Sequence, residues 1–146
     1  FQTRHGIDAD GVVGNATVWS NNAQVAGHVR IDDWVVLGAY AGVHQFCRIG
    51  AHAMLAAGAI VLQDVPPYVT AAGYPAKPAG TNNEGLRRRG FSAAEIAAVR
   101  RAYKTLYRNG LSLEAARDAL AAAARDTPLL TPLVEFMASS VRGIIR

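Results

Sequence analysis

The chain has one cysteine, Cys47, among 146 residues, which excludes a disulfide framework and a cysteine-based zinc site. A lone thiol fits a reducing compartment. Aromatics are scarce at 8% and charged residues make up only 18%. No run of about 18 apolar residues occurs, so no helix spans a bilayer, and no secretory h-region is present. No basic patch is interleaved with aromatics, which argues against a nucleic-acid partner. What is abundant is apolar character: 51% hydrophobic residues exclude a disordered chain. The length suits one domain, or one domain with a small appendage.

The charge is unevenly placed. Residues 1–83 hold four basic and five acidic side chains, whereas residues 84–146 hold eleven basic and six acidic ones. Thirteen of the fifteen bases are arginine, the residue that forks onto phosphate or carboxylate. The tightest cluster is Arg87-Arg88-Arg89. Such a segment attracts a nucleotide or an acidic protein, or it is simply a solvated helix face. Charge alone leaves both open.

A six-residue repeat organises the first half. Stepping in sixes from Ile7 gives Ile7, Val13, Trp19, Val25, Ile31, Leu37, Val43, Ile49, Leu55 and Val61. The fifth position of each unit is small or β-branched, from Gly11 and Thr17 through Cys47, Ala53 and Val65. The second position is mostly Gly, Ala or Asp, which tolerate corner dihedrals. A helix needs a period of 3.6 and an ordinary strand a period of two. A period of six fits a short strand plus a corner, coiled into a β-solenoid with a hexapeptide register. With 18 residues per coil, His28 and His44 fall on adjacent coils of one face. They are offset by two residues along the strand, within reach of one substrate as acid, base or oxyanion donor. Two surface histidines without a role give the same spacing. His44 occupies a second-position slot that the repeat does not require to be histidine.

The rest reads as a loop-rich connection, residues 67–83, and a helical subdomain, residues 84–146, behind a solenoid of residues 1–66. Pro66-Pro67, Gly73-Tyr74-Pro75 and Pro78 mark the exit. Ser92-Ala-Ala-Glu95 is a capping box that starts a helix, and Gly110 stops it. Ser112 caps a second helix through Ala124. Thr131-Pro132 opens a third, carrying Leu133, Phe136, Met137, Val141 and Ile144 on an apolar stripe.

Several segments together resemble one family: Asn21-Asn22-Ala23, Ala26-Gly27-His28-Val29, Val43-His44-Gln45-Phe46-Cys47, Ile49-Gly50-Ala51-His52, Gln63-Asp64-Val65-Pro66-Pro67-Tyr68-Val69, Asn82 to Phe91, and Arg142-Gly143-Ile144-Ile145-Arg146. They resemble the acyl-carrier-protein:UDP-N-acetylglucosamine O-acyltransferases of lipid A biosynthesis, within the hexapeptide-repeat acyltransferases. The likeness runs from about Val13 onward and matches the C-terminal part of the family's usual chain. It implies a left-handed parallel β-helix followed by a C-terminal α-helical subdomain. It also implies a cytoplasmic homotrimer with active sites in clefts between adjacent solenoids. The implied partners are acyl carrier protein and UDP-N-acetylglucosamine, with no cofactor and no metal. The implied reaction moves an (R)-3-hydroxyacyl group from acyl carrier protein to the sugar 3-hydroxyl.

Residue by residue, the resemblance implies that His28 is an active-site histidine and that His44 sits where the chain passes the acyl thioester. Gln45 matches a sugar-contacting glutamine. Asn82, Glu84, Arg88 and Arg89 match nucleotide-contacting positions. Ala57 falls where acyl-pocket depth is set, and its small side chain implies room for a long chain. One position departs from the pattern. The family's general-base histidine falls at Ala9 and a companion histidine at Gly6, with Asp10 following. Alanine takes no proton, so the resemblance implies impaired transfer. The alternative is a catalytically silent trimeric scaffold that keeps nucleotide or carrier-protein binding. A further alternative is the N-acyltransferase that follows in the same pathway, against which the Glu84–Phe91 segment and the helical tail both argue.

Overall fold

A computed structural model of the chain describes residues 11–146. Nine two-residue strands wind through the first half: β1 Val12–Val13, β2 Val18–Trp19, β3 Gln24–Val25, β4 Arg30–Ile31, β5 Val36–Leu37, β6 Gly42–Val43, β7 Arg48–Ile49, β8 Met54–Leu55 and β9 Ile60–Val61. They stack into three parallel sheets, β1-β4-β7, β2-β5-β8 and β3-β6-β9, each step pairing residues 18 apart, as Val25 with Val43 and Val43 with Val61. The described part of the first half is therefore a β-solenoid of about three coils.

The six-residue pattern explains the packing. In each unit the apolar first residue and the small fifth residue both point inward. Ile31, Leu37, Ile49 and Leu55 are buried alongside Val29, Val35, Cys47 and Ala53. Each large side chain so placed stabilises the coil by about 1.5–3 kcal/mol. Burial pushes the Cys47 thiol up to about 11, so it remains protonated at neutral pH.

The corners differ from the sequence expectation. Positive φ falls at the fourth residue of each unit, not the second: Ala16, Asn22, His28, Trp34, Tyr40, Phe46, His52 and Gly58. Seven of these eight are not glycine, although the left-handed region costs roughly 1–2 kcal/mol for an L-residue. Hydrogen bonds between coils offset that cost. The fourth residue's N–H donates to the third residue's carbonyl one coil earlier, as Trp34 to Asn15, Phe46 to Gly27 and His52 to Asp33, at 3.0–3.1 Å. The glycines of the second position serve close approach instead. A Cβ on Gly50 would lie 2.4 Å from the Pro67 nitrogen.

The 18-residue register ends after Val61. Val65 bridges Ile49, and β10 (Val69–Ala72) pairs with β8 through Thr70 and Met54, each only 16 residues apart. The segment read as a loop-rich connection thus holds two strands. β10 extends the second sheet, and β11 (Lys77–Thr81) folds back antiparallel onto it. Proline and glycine at 73–80 are the hairpin's turn and edge residues, which is why this segment lacks strand periodicity in sequence.

The helical part begins with a helix absent from the sequence reading, α1 (Asn83–Arg88), followed by α2 (Ala93–Tyr107), α3 (Leu113–Asp126) and α4 (Thr131–Ser139). The capping box at Ser92 and Glu95 is present, and Ser112 caps α3 through the Ala115 N–H. The third predicted helix is cut short at Ser139. Val141 is 96% exposed rather than on the apolar stripe, and Ile144 is buried in a bridge to Asp64. Gly143 takes positive φ and turns the chain back toward the solenoid. Two apolar cores result, one inside the solenoid and one among the helices, with Tyr107 packed against both and the neighbours Ile144 and Ile145 divided between them.

Candidate functional site

Three corners run along the solenoid. The first joins the third sheet to the first and carries His28 and Phe46. The second joins the first sheet to the second and carries Ala16, Trp34 and His52. The third carries Asn22, Tyr40 and Gly58, with Ala57 beside it. Every candidate among the described residues can be placed on this frame.

At the first corner the His28 ring stacks on Phe46, one coil on, with centroids 4.5 Å apart and planes within 3°. His44 and Gln45 are exposed on the same corner. The His44 Nδ1 lies 3.2 Å from the Gln45 carbonyl, a contact that the Nδ1–H tautomer satisfies, leaving Nε2 as the acceptor. An open groove of about 830 Å³ runs beside this corner along β3, β6 and β9. Its walls include Trp19, Asn21, Ala26, His44, Ile60 and Leu62. Its lining mixes apolar side chains with Ser20 and the amides of Asn21, Asn22 and Gln24, and His44 is its titratable group. Ala57 is exposed at the third corner and is not part of the groove wall.

The remaining candidates gather at the second corner. Asn82 is buried and serves two structural bonds: its side-chain NH2 donates to the His52 carbonyl at 3.0 Å, and its Oδ1 accepts from the Gly85 N–H, capping α1. Glu84 is exposed and bridges Arg87 and Arg88, the latter through Nε at 3.0 Å. Arg89 leaves the end of α1 and lies over the Trp34 ring, 5.2 Å from its centroid. His52 and Tyr68 continue the column below Trp34. Burial and the nearby Arg89 charge push His52 down to about 4, so the ring is neutral at pH 7, with Asp33 pulling weakly the other way. Burial pushes Tyr68 up to about 12, and its hydroxyl donates to the Leu129 carbonyl at 2.9 Å.

Within one chain, then, His28, His44 and Gln45 sit at one corner, and Asn82, Glu84, Arg88 and Arg89 sit at another. The first sheet separates them. The Ala9 slot lies outside the described residues. A second hollow, about 560 Å³, lies between that sheet and α4, where Arg48 donates to Ser139 and covers the Phe136 ring at 4.5 Å. Among the described residues no group of three or more His, Cys, Asp or Glu is placed to hold a metal, and no helix is long and apolar enough to cross a membrane.

A family model described as UDP N-acetylglucosamine O-acyltransferase, domain 2, matches residues 64–145, more than half of the chain. The chain belongs to this family. Proteins named acyl-[acyl-carrier-protein]–UDP-N-acetylglucosamine O-acyltransferase from Janthinobacterium sp. (strain Marseille) and Thiobacillus denitrificans are 55% and 50% identical over 96% of this chain. The matches cover 55% and 54% of those proteins, so the chain spans about half the length of the curated relatives it matches. The solved UDP-N-acetylglucosamine acyltransferase of Francisella novicida superposes with a TM-score of 0.91 at 41% identity, over 94% of this chain and 50% of that one. The corresponding structure from Bacteroides fragilis gives 0.90 at 37% identity, over 97% and 56%. The UDP-N-acetylglucosamine O-acyltransferase fold thus accounts for both the solenoid and its helical cap.

Two features of this O-acyltransferase family member escaped the sequence reading. One is the column Trp34, His52 and Tyr68. The first two recur at a spacing of 18 in the fourth-residue slot, a signal available once positive φ is assigned there. The other is Asp64, a buried carboxylate that accepts from the Arg48 N–H at 2.8 Å and the Ser140 hydroxyl at 2.7 Å. Its own backbone pairs with Gly143 and Ile145, docking the C-terminal segment onto the end of the solenoid. No local motif announces that contact, because the partners lie more than 70 residues away.

Proposed function

We propose that this chain contributes to the transfer of an (R)-3-hydroxyacyl group from acyl carrier protein to the 3-hydroxyl of UDP-N-acetylglucosamine, the first step of lipid A biosynthesis. It works in the cytoplasm as a homotrimer. The observation that carries this reading is the 50–55% identity, over 96% of the chain, to proteins named for that reaction. The geometry supports the trimer. The histidine corner and the α1 corner face apart within one chain, so one substrate can touch both only where two chains meet.

In this reading the sugar O3 attacks the thioester carbonyl. The C–O bond forms, the C–S bond breaks, the carrier thiol leaves, and the O3 proton must be removed. The groove beside His44 takes the acyl chain, and Ala57, which lies outside that groove within one chain, bounds the acyl depth from a neighbouring chain of the trimer. His44, with Nε2 free to accept, and His28 are the ionisable groups nearest the reacting carbonyl, and Gln45 contacts the sugar. Asn82, Glu84, Arg88 and Arg89 take the nucleotide, the arginines as donors to its diphosphate. With alanine in the general-base slot at position 9, turnover falls about 10²–10⁴-fold below that of a relative carrying histidine there.

The test is an acyl-transfer assay with hydroxyacyl carrier protein and UDP-N-acetylglucosamine. The expected result is slow transfer that Ala9→His accelerates. Turnover matching a full-length relative contradicts the impairment. UDP-sugar binding with no transfer, unchanged in Ala9→His, supports the second reading, a silent scaffold, which the alanine at position 9 favours.

A further inference from the structure

The repeat asks only that the fourth residue of each unit tolerate positive φ, and Ala16 and Gly58 meet that demand with almost no side chain. At the second corner the slots after Ala16 hold large rings. Trp34 and His52 lie 6.3 Å apart with planes within 5°, His52 and Tyr68 lie 5.8 Å apart within 17°, and Phe91 meets His52 edge-on at 5.1 Å. The column ends under a cation, the Arg89 guanidinium over Trp34.

Arg89 differs from its two neighbours in what balances its charge. Arg87 and Arg88 share Glu84, whereas Arg89 makes no ion pair among the described residues. Its Nη1 is shielded from water and has no hydrogen-bond partner among them. Burial also lowers its proton affinity. The room for this placement comes from Gly85. A Cβ there would lie 2.7 Å from Arg89 Nη1 and 2.4 Å from the Asn82 amide. A ring face attracts a guanidinium without consuming its N–H donors, whereas a carboxylate would occupy them. The arginine is thus held in place and partly desolvated: Nη1 is turned into the protein, and Nε and Nη2 are the donors left for a ligand.

We infer that Trp34 is a positioning residue: it orients Arg89 so that the guanidinium fork meets the diphosphate of a nucleotide sugar. The inference rests on the proposed nucleotide role of Arg89 and adds the residue that presents it. Trp34 is 42% exposed, at the edge of the column, where an incoming nucleotide reaches the arginine before the rings beneath. Below it, neutral His52 keeps a second positive charge away from the guanidinium.

The test is calorimetric titration of the chain with UDP-N-acetylglucosamine, comparing Trp34→Leu and Trp34→Phe, both of which fill the corner with apolar volume. Leucine removes the ring face and should weaken binding about 3- to 30-fold, the range of a cation–π contact. Phenylalanine should bind within about threefold of the unaltered chain. In an Arg89→Ala background the leucine substitution should add nothing, because its effect passes through the arginine. Circular dichroism and the thermal midpoint confirm that the compared chains are folded. Equal binding by the Leu and Phe variants, or an undiminished leucine effect without Arg89, overturns the inference and leaves the nucleotide site standing. No binding by the unaltered chain overturns the nucleotide site itself, and this inference with it.

Discussion

The solenoid and its helical cap hold themselves together in different ways. In the solenoid each contact is made several times over. The same inward slots, corner hydrogen bonds and 18-residue ladder recur from Val12 to Val61. In the cap and its junction each contact is made once. Asp64 receives one N–H and one hydroxyl, Tyr68 reaches one carbonyl, and Asn82 joins one helix to one coil. Repetition fixes the fold so redundantly that outward and corner positions become free for function. Single-copy contacts leave less freedom: at the junction Asp64 and Tyr68 spend their polar groups on structure.

The largest effect expected from this contrast is in the solenoid core. Leu37→Ala, at a fully buried site in the middle coil, should cost about 2–5 kcal/mol in urea unfolding at fixed chain concentration. A loss below about 1 kcal/mol would mean the coils can collapse around a cavity, and that the repeat is looser than its register implies. Asp64→Ala tests the single-copy junction. It leaves the Arg48 N–H and the Ser140 hydroxyl without an acceptor and should cost about 2–4 kcal/mol. It should also speed proteolysis after Ser139. Asp64→Asn, which keeps one acceptor, should cost less.

The pH response should come from the second corner. The folded pKa of His52, about 4, lies below its ordinary 6.5. The unfolded chain therefore takes up the proton first as pH falls. Stability from this group is intact above about pH 6.5, declines between 6.5 and 4, and is gone below 4. The slope of unfolding free energy against pH should be positive in that window and should flatten in His52→Gln. An unchanged slope would assign it to other groups. Ser92→Ala, which removes one cap, should cost about 1 kcal/mol. Val141→Ser, at a fully exposed site, should stay within about 0.5 kcal/mol.

The same contrast decides what was legible in the sequence. Ile31, Leu37 and Ile49 announce the solenoid because periodicity is a many-residue signal. Ser92 with Glu95 and Ser112 announce helix starts because caps are local chemistry. The hairpin of β10 and β11 and the short α1 were not legible, since proline, glycine and a six-residue span carry no period. Spacing alone puts Val141 on a helical stripe. The stripe fails because Gly143 and the bridge from Ile144 to Asp64 draw the chain away from α4. Of the candidate site, His28 and His44 were visible as neighbours in the register, and the arginine cluster was visible as charge. The stacking of Arg89 on Trp34 was not, because it joins residues 55 positions apart across two elements.

The central claim is that the two halves of the site lie on different corners of one chain and meet only between chains. Light scattering in solution tests it most directly. The account predicts a mass of about three 15.5-kDa chains. A stable monomer that still binds UDP-N-acetylglucosamine would contradict it.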